Sequence, residues 1–143
     1  MRLTFSILSF ILFFSVLSVS AQSNSSWSPI GLTVNGKNMQ NNVEASYQLS
    51  KCNNEDVVYI KLFNYNTDAV IVEWNDAIFT KELKWVKENK IKSLTIGGNE
   101  VIFGECSNTS KSELVVKVSE FIKNIDDFNK FGTTSFKVTT IKK

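Results

Sequence analysis

Two runs of β-branched and aromatic residues, 57–65 and 69–74, are separated only by Asn66, Thr67 and Asp68. Val, Ile, Phe, Tyr and Trp lose rotamer freedom on a helix and pack well on a pleated surface, so the segment commits the chain to strands. Three polar residues between two strands predict a β-hairpin. The three-residue loop sets Leu62 opposite Val72, Ile60 opposite Trp74 and Lys61 opposite Glu73. A shift of one residue would put Lys61 on the face of Val72 and Trp74, so the first register separates charge from apolar groups.

The same pattern recurs along the chain. Residues 92–96 and 101–105 flank Gly97-Gly98-Asn99, which predicts a second hairpin with Gly98 and Asn99 in the turn, Ile96 facing Val101, Leu94 facing Phe103 and Lys92 facing Glu105. Residues 43–49 alternate, with Val43, Ala45, Tyr47 and Leu49 on one face. A short strand over 31–34 runs into Asn35-Gly36, a type I′ turn signal, and 37–42 reads as loop. Residues 77–86 read as a strand carrying Phe79, Leu83 and Trp85 on one face, although Ile78, Phe79, Glu82 and Val86 also fit helical spacing, and 114–118 and 135–141 read as two more strands. Phe121, Ile122, Ile125 and Phe128 recur at helical spacing, with Ser119 as N-cap and Gly132 as terminator, so one short helix is expected near the C-terminus.

Short strands at near-regular spacing predict a mainly β chain, a small antiparallel β-sandwich of immunoglobulin-like type. The order Cys52, Trp74, Cys106 resembles that of an immunoglobulin domain. The resemblance is architectural: that family places its Trp nearer the first Cys, and Gly104 stands where it carries a Tyr.

Residues 1–21 pair Arg2 with an apolar run and end in Val19-Ser20-Ala21, the pattern of a secretory signal peptide cleaved after Ala21. The expected organisation is a signal peptide at 1–21, a flexible polar leader at 22–29 ending at the single proline, and one β-sandwich domain at 30–143. No second long apolar run follows, so no membrane span is expected after cleavage, and the chain is expected to be secreted or periplasmic. The richness in Asn, Lys, Ile and Phe resembles that of exported bacterial proteins from AT-rich genomes. Cys52 and Cys106, the two cysteines, are expected to form a disulfide in an oxidising compartment, with two separate buried thiols as the alternative.

The inventory of reactive groups is thin. Lys and Arg total 16 against 14 Asp and Glu, the sole arginine is Arg2, and there is no histidine. Bidentate recognition of phosphate or guanine favours guanidinium, so a nucleic-acid partner is not expected. Without histidine, the familiar nucleophile–base pair and a structural zinc site lose their commonest member; no metal, cofactor or catalytic residue is assigned. The pairs Glu55-Asp56, Glu100 with Glu105, and Asp126-Asp127 could in principle serve a glycosidase, but each reads more simply as solvated charge. Trp74 and Trp85 are assigned to the core, which leaves Trp27, in the leader, as the possible binding residue. The expected function is therefore that of an exported, non-catalytic protein acting through protein or surface-glycan contacts; the alternative is a small exported hydrolase using carboxylate or lysine side chains.

Overall fold

The computed structural model describes residues 26–31, 38–107 and 109–142. The expected signal peptide, the first half of the expected leader, most of the strand expected over 31–34 and the Asn35-Gly36 turn lie outside them. The strands are β1 (Ser28–Pro29), β2 (Met39–Gln40), β3 (Val43–Cys52), β4 (Glu55–Asn64), β5 (Val70–Thr80), β6 (Trp85–Lys87), β7 (Lys92–Ile96), β8 (Val101–Phe103), β9 (Val115–Lys117) and β10 (Phe128–Thr140). They form two antiparallel sheets, each built on one long strand. In the first, β4 pairs with β3 on one side and with β8 and β9 end to end on the other, while β1 and β2 both pair with β3. In the second, β5 pairs with β10 on one side and with β6 and β7 on the other.

Local sequence makes two tight turns. Asn53 and Asn54 connect β3 to β4 with φ of 50° and 67°, and Asn41 and Asn42 connect β2 to β3 with φ of 46° and 58°. Both residues of a type I′ turn need positive φ, and Asn enters that region more readily than most residues. The resulting β3–β4 hairpin is unbroken from Val43 opposite Asn64 to Cys52 opposite Glu55.

The structure corrects both hairpins expected from the sequence. β4 and β5 belong to different sheets, as do β7 and β8. The segments 65–69 and 97–100 are crossovers between sheets. Lys61 consequently lies opposite Ser46 and Phe103, and Glu73 opposite Lys137 and Ser93. Burial decides the matter: Val58, Ile60 and Leu62 on β4 and Val70, Val72 and Trp74 on β5 all enter one buried cluster. Facing sheets bury both rows against each other, which side-by-side pairing would not do.

The short C-terminal helix is replaced by two single 3₁₀ turns, Val118–Glu120 and Ile125–Asp127. Asn124 interrupts the periodic run by accepting the Asp126 N–H at 3.0 Å with its own side chain. Gly132 lies inside β10, opposite Ala77. A Cβ there would come 2.7 Å from the Trp85 ring. Pairing along most of β5 and burial of Phe131 outweigh a short helix with a half-buried face.

The expected strand over 77–86 is a tight return: β5 ends at Thr80, Leu83 adopts φ 63°, and β6 brings Trp85 back opposite Phe79. Trp85 is therefore 43% exposed, not core, whereas Trp74 is buried as expected. Among the described residues no helix is long and apolar enough to cross a membrane.

Candidate functional site

Strand alternation divides β4 into two rows. Val58, Ile60 and Leu62 are buried, so Tyr59, Lys61 and Phe63 occupy the outer face of the first sheet. On β8 the buried Ile102 likewise sends Val101 and Phe103 outward. The pairing sets Phe103 beside Lys61 and Val101 beside Phe63, and on the other flank Ser46 beside Lys61 and Glu44 beside Phe63. Tyr65, just past β4, stands 3.8 Å from Phe63 between ring centroids.

The leader completes this face. Ser28 and Pro29 pair with Tyr47 and Ser46, so the end of the expected flexible leader is an edge strand, and Ile30 is buried. Trp27 is thereby brought edge-on to Phe103, with centroids 6.4 Å apart and the Lys61 Nζ 4.8 Å from its ring centroid. Trp27, Phe103, Phe63 and Tyr65 thus form one aromatic stripe. Tyr65, Val101 and Phe103 are each more than 40% exposed.

Polar groups are fixed among the rings. The Tyr65 hydroxyl donates to Glu44 Oε2 at 2.7 Å, and the Asn38 amide donates to Glu44 Oε1 at 3.1 Å. The bond to Glu44, with slight desolvation added, raises the Tyr65 phenol above its ordinary range. Glu44, Ser46, Lys61, Phe63, Tyr65 and Val101 line a shallow recess of about 140 Å³.

The structure keeps the other candidate groups apart. Glu55 pairs with Lys117 at 2.9 Å, Asp56 with Lys51 at 2.9 Å, and Glu100 accepts the Gly97 N–H at 2.6 Å. These carboxylates hold strand ends and a turn. Among the described residues no cluster of three or more metal-ligating side chains occurs. Cys52 and Cys106 are bonded, with Cα atoms 5.3 Å apart. In the chain-entropy picture, closing a 54-residue loop stabilises the fold by about 4 kcal/mol.

Two buried polar residues escaped the sequence reading. Asn64 closes β4 with its side chain inside the crossover end. Asp76 is fully buried on β5, with Lys92 Nζ 2.5 Å from Oδ2. The only sequence signal for either is a polar residue at an inward position of an apolar run.

No family model, curated protein or solved structure matches this chain. Its functional reading rests on its geometry.

Proposed function

We propose that the chain is an exported, non-catalytic binding protein of immunoglobulin-like sandwich form, whose outer aromatic stripe holds a surface glycan. The carrying observation is that Trp27, Phe103, Phe63 and Tyr65 lie together on a solvent-facing sheet surface with Glu44 and Lys61 fixed between them. An exposed apolar patch rimmed by polar groups marks a binding surface. Aromatic faces offer a negative quadrupole to the polarised C–H bonds of a sugar ring, and the recess supplies a carboxylate, an ammonium and hydroxyls for the ring's own hydroxyls. The recess is shallow and polar at its edges. A protein partner would instead favour a deep, dry pocket for a central anchor. The separate ion pairs that occupy Glu55 and Asp56 support a binding role over hydrolysis.

Affinity electrophoresis through gels carrying soluble neutral polysaccharides tests the reading. Retention by at least one polysaccharide is expected. Phe103→Ala and Tyr65→Ala should each weaken it about tenfold, equivalent to about 1.4 kcal/mol. Unretarded migration in every gel, or retention unchanged in both variants, overturns it.

A further inference from the structure

The inward-facing pair on the second sheet has chemistry that an ordinary salt bridge does not need. Lys92 lies opposite Trp74 on the neighbouring strand, and Asp76 follows two residues later on the same row as Trp74. The side chains are 11% and 0% exposed, with Nζ 2.5 Å from Oδ2. Among the described residues Lys92 is the only group that reaches Oδ2, which has no other donor. The other carboxyl oxygen is held by the Trp74 indole N–H at 2.8 Å. Lys92 Nζ also donates to the Glu113 carbonyl at 3.1 Å, which anchors the nitrogen beside the carboxyl. Cγ lies one carbon–oxygen bond beyond Oδ2, so a nitrogen so placed stands close to the separation, about 3–3.5 Å, from which a nucleophile attacks.

We propose that Lys92 and Asp76 join in an intramolecular isopeptide bond, an amide between Nζ and Cγ that covalently links β5 to β7. At this depth of burial, the charged pair gives way to amine and acid as a proton passes from Nζ to Oδ2. Burial favours this form by driving the Asp76 carboxyl above the usual carboxylate range, against the opposing pull of Lys92. The Nζ lone pair then attacks Cγ, and the carbonyl electron pair moves onto Oδ1. There the Trp74 N–H stabilises the developing charge, as an oxyanion-hole donor does. A second proton leaves Nζ and reaches Oδ2, the Cγ–Oδ2 bond breaks, and one water departs. The third Nζ proton remains on the amide and keeps the Glu113 carbonyl satisfied. Glu88, whose charge acts on Asp76, lines the same 320 Å³ cavity as Lys92 and provides the proton carrier and the exit path for water. No oxidant or cofactor enters the balance.

Peptide mapping of the folded, full-length protein by tandem mass spectrometry decides the matter. The expected result is one branched peptide containing Asp76 and Lys92, lighter by one water than its two parts, with no tryptic cleavage after Lys92. Lys92→Arg keeps the charge but should remove the branched peptide. Asp76→Asn can form the same amide only by losing ammonia, so its linked peptide should match the wild-type mass. Glu88→Gln should slow linkage at least tenfold while leaving its end product unchanged. Recovery of Asp76 and Lys92 in separate, unmodified peptides from the folded wild-type protein overturns the proposal, whatever the variants do.

Discussion

Asn64 and Asp76 are both fully buried polar residues on the central strands of their sheets, and they solve the same problem differently. Asn64 sits where the chain twice changes sheet. Its amide donates to the Asp68 and Gly97 carbonyls at 2.9 and 2.8 Å, and its carbonyl accepts from the Asn66 N–H at 3.0 Å. Neutral donors and acceptors thus satisfy the peptide groups that both crossovers leave without sheet partners. Asp76 instead meets a charge, Lys92, inside apolar surroundings. A neutral clamp is insensitive to pH, whereas the charged pair carries a desolvation cost and, with it, reactivity.

Substitutions should separate the two. Relative to unlinked wild-type protein, Asp76→Ala leaves the Lys92 ammonium buried without its partner and should cost about 4 kcal/mol in denaturant unfolding, the largest effect of the set. Asn64→Ala strands several backbone groups and should cost about 3 kcal/mol. Equal losses would show that charge adds nothing to the burden of burial at position 76. Gly98→Ala probes the crossover packing, since a Cβ there would stand 1.9 Å from the Thr67 carbonyl oxygen; a loss of about 2 kcal/mol is expected.

The pH profile sharpens the contrast further. In unlinked protein the Asp76 pKa is raised above its unfolded value, so the folded state takes up the proton more readily. The contribution of this group is therefore fully present below the unfolded pKa and is lost as pH rises through the raised one. Asn64→Ala should leave that dependence unaltered, and Asp76→Ala should abolish it, as followed by melting midpoints across the acidic range. The smallest effect belongs to the Lys137–Glu73 pair, 3.5 Å apart and largely solvated, where Lys137→Ala should change stability by at most about 0.5 kcal/mol.

Legibility in the sequence followed the range of the interactions involved. The runs that became β3, β4, β5, β7 and β8 were readable because alternation is a property of a few consecutive residues. The disulfide was readable from two cysteines in a chain whose first 21 residues resemble an export signal. The aromatic site was only one quarter visible: Trp27 was singled out, while Phe63, Tyr65 and Phe103 looked like ordinary strand residues until β8 was placed beside β4. Trp85 was misread because the positive φ at Leu83 folds back what looked like one continuous strand.

By itself, the sequence determined most of the extended segments and which residues on them alternate, but not the start of β10, read as helix, nor the turn between β5 and β6. Only the tertiary structure decided which strand lies beside which. Asn66-Thr67-Asp68 and Gly97-Gly98-Asn99 suit a hairpin and a crossover alike, and local conformational energy does not distinguish them. The decision falls to burial across the two sheets and to Asn64, which bonds to both crossovers at once, with the Asn99 N–H donating to the Asn66 carbonyl at 2.8 Å beside it. The bonds from Asn64 to Gly97 and from Asn99 to Asn66 each join residues 33 positions apart, and their free energy appears only once both sheets are in place.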